Sequence, residues 1–131
     1  MPPRNVEIVR GVYERWSEGD FRTTEVFDPN VVFVLGPEFP DTGAYLGLEA
    51  VARYMRGFLE PWTHITMEAE EIFDAGDTVL VGLLQRAVGD ASGAETELRY
   101  FQLWSFRGGR VIRLENFRER AEALEAAGLA A

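Results

Sequence analysis

The feature that most narrows what this chain can fold into is its second half, where four extended runs follow one another on short turns. Residues 65–74, 78–88, 95–106 and 111–117 are rich in β-branched and aromatic side chains. Ala75-Gly76-Asp77, Gly89-Asp90-Ala91-Ser92-Gly93 and Gly108-Gly109 separate them with turn residues. Strands joined so briefly pair as an antiparallel meander.

The first half is helical in its spacing. Val6, Val9, Val12, Tyr13 and Trp16 recur at three- and four-residue steps behind Asn5, an acceptable N-cap, and predict a helix ending near Gly19. Asp20 can cap a second, shorter helical turn through Phe21 to about Phe27, and Asp28-Pro29-Asn30 breaks that pattern ahead of a short strand, Val31 to Leu35. Gly36 to Gly47 reads as a loop. Val51, Tyr54, Met55, Phe58 and Leu59 then form one apolar stripe of a helix that Pro61 stops. A closing helix spans Arg118 to Ala127, with Gly128 as its C-terminal cap.

This order predicts a segregated α+β fold in one domain, residues 1–131. A curved antiparallel sheet must wrap around the N-terminal helices to bury its inner face, as a cone-shaped α+β barrel. Such a cone holds a cavity at its open end unless its own side chains fill it.

Composition removes several classes of function. The net charge is −9, from 22 acidic against 13 basic residues, all arginine and scattered, so nucleic acid is not an expected partner. The chain has no cysteine, which excludes disulfides, thiolate metal sites and a cysteine nucleophile. No apolar run approaches the ~18 residues of a membrane span, and the N-terminus lacks the pattern of a signal peptide. A cytoplasmic address without membrane contact is the default expectation. Glu68, Glu70 and Glu71 cluster, yet alternation sends Glu71 to the opposite face from the other two and no histidine supports them, so no metal site is expected.

Tyr13-Glu14-Arg15-Trp16-Ser17-Glu18-Gly19-Asp20-Phe21, Phe27-Asp28-Pro29-Asn30-Val31-Val32-Phe33 and Tyr45-Leu46-Gly47-Leu48-Glu49-Ala50-Val51 resemble the SnoaL-like branch of the nuclear transport factor 2-like superfamily. So do Glu71-Ile72-Phe73-Asp74-Ala75-Gly76-Asp77-Thr78-Val79, Leu103-Trp104-Ser105-Phe106-Arg107-Gly108-Gly109-Arg110-Val111-Ile112 and the tail from Phe117 to Leu129. That superfamily includes polyketide cyclases, ketosteroid isomerase and limonene epoxide hydrolase. The resemblance covers nearly the whole chain and implies the cone fold and a homodimer through the outer sheet face; any reaction is expected to use no cofactor. It is not specific for a reaction, because the matching residues are mostly turn, cap and packing positions.

Against the isomerases, the chain departs at the catalytic positions. Gly36-Pro37 stands where the resemblance implies the aspartate base, so a base would have to come from Glu38 or Asp41 in the adjoining loop. The oxyanion tyrosine maps near Val12, and the protonated aspartate maps to Gln102, which offers an N–H donor but no acid. His64, the one histidine, is the nearest to a ready general base.

Alternation places Leu98, Tyr100, Gln102, Trp104 and Phe106 on one face, and Arg99, Phe101, Leu103 and Ser105 on the other. The inward set of the last strand is Ile112, Leu114 and Asn116, which brings Gln102 and Asn116 to the same concave wall. These amides either bond each other and nearby backbone or offer themselves to a ligand. With Trp16, Phe33, Tyr54, Met55, Phe58, Trp62, Trp104 and Leu114 they define the expected ligand pocket. Phe101, Leu103 and Phe117, with Arg99, Arg113 and Glu115, form the outer face expected to meet a partner.

Two readings follow. In the first, the pocket binds a small carbonyl-bearing or aromatic molecule and, if catalytic, acts as an isomerase, cyclase or dehydratase. Gln102 and Asn116 would then hold an oxygen while His64, Glu38 or Asp41 moves a proton. In the second, the domain is a non-enzymatic binding or dimerising module whose own rings fill the cavity. Under the first, Gln102→Leu is expected to weaken binding at little cost to folding.

Overall fold

A computed structural model describes residues 4–39 and 42–129. Helix α1, Arg4–Trp16, is followed by a 3-10 turn, Thr24–Val26, and by strands β1, Phe27–Leu35, and β2, Gly43–Leu46. Helix α2, Leu48–Leu59, leads into the meander of β3, Trp62–Asp74, β4, Thr78–Gly89, β5, Glu95–Arg107, and β6, Arg110–Phe117. Helix α3, Arg120–Ala126, closes the chain. The strands form one open sheet in the order β2-β1-β6-β5-β4-β3. Its concave side holds α1 and α2, giving the curved α+β cone. Among the described residues no helix is long and apolar enough to cross a membrane.

Every neighbouring pair is antiparallel except β1 with β6, which is parallel and makes the sheet mixed. The reason is connectivity: β1 enters before α2 and meets the meander only at its last strand, so no short turn dictates its direction. Two further differences from the sequence reading are local. Part of the expected loop, Gly43–Leu46, pairs with β1 as an edge strand. Asp28-Pro29-Asn30 lies within β1 as an irregular stretch, because the register jumps from Phe27↔Val111 to Val32↔Arg113 while Asp28 Oδ1 accepts from Asn30 N–H at 2.8 Å. The expected helical turn after Asp20 shrinks to residues 24–26.

The β5–β6 hairpin turns on Gly108 and Gly109, both at positive φ, as the tight hairpin turn whose twist matches its strands requires. Just inside it the register shifts between Ser105 and Phe106. The shift puts Val111, fully buried, into the core and leaves Ile112 only half-buried, a correction to the inward set expected for β6. A second bulge, between Ala69 and Glu71, has a similar effect on β3. It turns Glu71 to the outer face beside Glu68 and Glu70, where plain alternation had sent it inward. Each of the three meets an arginine there: Glu68 with Arg86 at 3.6 Å, Glu70 with Arg99 at 2.9 Å, and Glu71 with Arg120.

Two apolar clusters sit on opposite sides of the sheet. The larger fills the cone: Val6, Val9, Val12, Tyr13 and Trp16 of α1 pack against the inward residues of β3, β4 and β5. The smaller lies outside, where Ala123 and Leu124 of α3 cover Leu80 and Leu103, flanked by Phe73, Phe101 and Phe117. The outer apolar residues expected to await a partner are thus covered, in part, by the chain's own last helix. Arg120 fastens that helix, its guanidinium 5.5 Å from the Phe73 ring centre and paired with Glu71. At its far end Leu129 N–H donates to Leu124 C=O at 2.8 Å and Gly128 N–H to Glu125 C=O at 3.0 Å, a Schellman cap closed by a Leu124–Leu129 apolar contact.

Because α3 is short and held mainly by this cluster, Leu124→Ala should destabilise the fold by about 2 kcal/mol, near the lower end for a buried leucine. Thermal unfolding followed by far-UV circular dichroism checks this, and the variant should keep the concave side unchanged.

Candidate functional site

The concave side encloses a cavity of about 570 Å³. Trp16, Phe33, Tyr54, Met55, Phe58 and Trp62 line it, and Gln102, Leu114 and Asn116 form part of its sheet wall. Phe39, on the loop after β1, closes one side against Tyr100, ring centres 5.7 Å apart. The exposed lining residues, Thr24, Arg56, Gly57 and Pro61, mark a mouth between the 3-10 turn and the end of α2. The rings therefore line the space without filling it.

Trp104 does not reach this cavity. It is fully buried behind the wall, stacked on Phe27 at 6.0 Å and edge-on to Tyr13 at 5.8 Å. Its indole N–H donates to the Tyr13 hydroxyl oxygen at 3.1 Å, and the Tyr13 hydroxyl in turn donates to Gln102 Oε1. The direction follows from valence. An indole N–H can only donate, so the Tyr13 oxygen accepts, and its single proton goes to Gln102. Gln102 must then present its oxygen to Tyr13 and its NH2 group to the cavity. That nitrogen has no partner among the described residues and is not sealed in the core. Tyr13, which follows Val12, thus meets the cavity wall only through its hydrogen bond to Gln102.

A second pair repeats the device. Tyr100 donates its hydroxyl to Gln85 Oε1 at 2.8 Å, which again leaves the amide nitrogen unpartnered and facing the cavity. Gln85 escaped the sequence reading because it lies in the apolar run of β4. The available signal was parity: Val81, Leu83 and Ala87 point inward with it, so a lone polar residue stood at a core position. Burial raises the ionisation of both tyrosines above the ordinary phenol value, with nearby Tyr54 adding to the effect at Tyr100. Both stay neutral donors.

Asn116 lies directly across from Gln102 on β6 and is 6% exposed, yet its amide has no hydrogen-bond partner among the described residues. The two amides do not bond each other. Trp62, on the facing side, buries its indole N–H equally unpartnered. The chain holds five side-chain amides in all, Asn5, Asn30, Gln85, Gln102 and Asn116, and three of them stand on this wall. Of the three, Gln85 and Gln102 have their oxygens bonded and Asn116 has its oxygen buried without a partner, an arrangement that costs stability.

The proposed proton-transfer residues lie elsewhere. His64 is exposed on β3 and does not line the cavity. Glu38 is also exposed, its carboxylate folded back into the space that a side chain at Gly36 would occupy. Asp41 lies outside the described residues. Among the described residues the cavity is lined by no carboxylate and no imidazole, and Arg56 at the mouth is its one charged group.

With the geometry in place, comparison with known proteins identifies the class. The model of the SnoaL-like domain family matches residues 9–114, and the chain belongs to that family. Among curated proteins none matches. Solved structures share the fold at low identity. One is a candidate SnoaL-like polyketide cyclase from Jannaschia, with TM-score 0.77 and 17% identity over 100% of this chain and 97% of that one. Another is a nuclear transport factor 2-like protein of unknown function from Burkholderia pseudomallei, with TM-score 0.76 and 20% identity over 93% and 95%. A third, from Catenulispora acidiphila, has a ketosteroid isomerase-like fold and was solved with trimethylamine, with TM-score 0.71 and 14% identity over 95% and 94%.

The wall predicts two opposite stability effects. Gln102→Leu strands the Tyr13 hydroxyl in the core and should cost about 1–3 kcal/mol, in contrast to the small cost expected from sequence. Asn116→Leu removes an amide that bonds nothing in the protein, and should leave stability within about 0.5 kcal/mol of the wild type or raise it. Urea denaturation of the two variants distinguishes them, and equal losses would show that Asn116 is a structural residue.

Proposed function

We propose that this chain binds a flat, apolar or aromatic small molecule and holds a carbonyl oxygen of it against Gln102 and Asn116. The observation that carries this reading is the set of unpartnered amides on the wall of an otherwise apolar cavity. A carbonyl oxygen accepts hydrogen bonds and brings no proton of its own, which suits the Gln102 nitrogen, whose companion oxygen is engaged by Tyr13, with the unbound amide of Asn116 beside it. The cavity volume falls within the range of small-molecule sites, about 300–1,000 Å³, and its aromatic lining suits a ring system.

Such a wall supplies one element of catalysis, stabilisation of negative charge as it develops on a carbonyl oxygen. That is the step shared by isomerisation, aldol-type cyclisation and dehydration next to a carbonyl. The described lining residues supply no base for it, and the two buried tyrosines, held neutral, do not serve as one. Binding and polarisation of a carbonyl compound is therefore the function that the geometry supports best. The reading of a module filled by its own rings has less support, since those rings surround an empty volume. For assembly, we propose that the chain pairs with a second copy through the part of the outer face that α3 leaves exposed, where Arg86 and Arg99 meet Glu97 and Glu70.

The test is a fluorescence titration, with Trp16 and Trp62 on the cavity wall as reporters, comparing 2-acetylnaphthalene with naphthalene. The ketone should bind at least about tenfold more tightly, equivalent to 1.4 kcal/mol, and Asn116→Leu should remove most of the difference. Because the hydrogen-bonding groups of the wall are neutral amides and tyrosines held protonated, affinity should change little between about pH 5.5 and 9. Equal binding of ketone and hydrocarbon would contradict the proposal.

A further inference from the structure

The wall has two polar poles, and the second has no part in the function proposed so far. At one end stand Gln102 and Asn116, paired across β5 and β6. At the other stands Gln85 on β4, whose cross-strand partner is Leu98, four residues along β5 from Gln102. With about 3.4 Å per residue along a strand and about 4.8 Å between strands, the two glutamine α-carbons are roughly 14 Å apart. Tyr100 lies between them, and all four side chains line the same cavity.

Gln85 is built as carefully as Gln102. It is 7% exposed, and its oxygen accepts from the Tyr100 hydroxyl at 2.8 Å. The same hydroxyl lies 3.8 Å from Met67 Sδ, a weaker acceptor, so its proton belongs to Gln85. The Gln85 NH2 group is thereby turned toward the cavity with no partner among the described residues. A buried amide with its oxygen committed and its nitrogen idle fits an acceptor atom of a ligand.

We propose that Gln85, oriented by Tyr100, is a second oxygen subsite, and that the ligand is an elongated, rigid apolar molecule with a carbonyl at each end. This inference rests on the carbonyl reading of the Gln102–Asn116 pole and extends it. At the Gln85 pole the oxygen is committed to Tyr100 and only the NH2 group is offered, so that end of the site selects a carbonyl over a hydroxyl, whose proton would find no acceptor there, and the diketone is preferred to the corresponding diol. In this arrangement Tyr100 is a positioning residue: it fixes which end of the Gln85 amide meets the ligand.

Calorimetric titration of the whole chain with four probes tests this: 4,4′-diacetylbiphenyl, 4-acetylbiphenyl, 4,4′-bis(1-hydroxyethyl)biphenyl and biphenyl. The diketone should bind at least about tenfold more tightly than the monoketone, and more tightly than the diol. The double variant Gln85→Leu/Tyr100→Phe, which strands neither partner, should reduce the diketone's advantage over the monoketone from tenfold to less than about twofold. Tyr100→Phe alone frees Gln85 to turn, and should shrink the preference for diketone over diol. A diketone that binds no more tightly than the monoketone, or a double variant that weakens both ketones alike, overturns the second subsite while leaving the first in place. If biphenyl binds as well as either ketone, or no probe binds, the carbonyl reading of the wall fails and this inference fails with it.

Discussion

The hydrogen-bond chain from Trp104 through Tyr13 to Gln102 sets the chemistry of the cavity. Each link has a fixed direction, because an indole N–H cannot accept and a phenol has one proton to give. The chain joins α1 to the middle of β5, so the contact that seats the first helix on the sheet also decides which atom of Gln102 the cavity sees. Burial secures it further by keeping Tyr13 neutral. Stability and polarity of the site are one structure here.

The rest of the fold supports that wall. Long, bulged strands curl the sheet, α1 occupies the interior at one end, and α2 with the 3-10 turn frames the mouth at the other. The space between them is lined by aromatic rings that touch one another, such as Phe33 with Tyr54 at 5.4 Å and Tyr54 with Phe58 at 6.1 Å, so they support each other around the void. On the far side of the sheet α3 adds a small second core, which shields Leu80 and Leu103 and backs the strands that carry Gln85 and Gln102.

Much of this was legible in the chain because strand alternation is a strict rule. The period of two placed Tyr100, Gln102 and Trp104 on one face of β5 and Leu114 and Asn116 on the same wall; that Asn116 stands directly across from Gln102 depends on the shift between Ser105 and Phe106, since an unbroken hairpin on Gly108 and Gly109 would set Glu115 there. The rule failed where bulges interrupt it, at Glu71 and Ile112, since one extra residue reverses every later side chain and no local motif announces it. It also could not place Tyr13 relative to Gln102 or separate Trp104 from the cavity, because those facts depend on how a helix is rotated against a sheet 89 residues away in sequence. Gln85 was hidden for another reason: in a run as apolar as Val79 to Leu84, one glutamine reads as an edge or an accident. His64 and Glu38 are candidate bases by their chemistry alone, and the fold gives each a place in solvent.

The most direct test of the central claim is the two-dimensional nitrogen–proton spectrum of the five side-chain amides, recorded without ligand and at saturation with 2-acetylnaphthalene. The NH2 signals of Gln102 and Asn116 should move on binding, while those of Asn5, bonded to Gly76, and of exposed Asn30 stay where they are. Saturable quenching of the tryptophans with no movement of the Gln102 amide would place the ketone's oxygen elsewhere and contradict it.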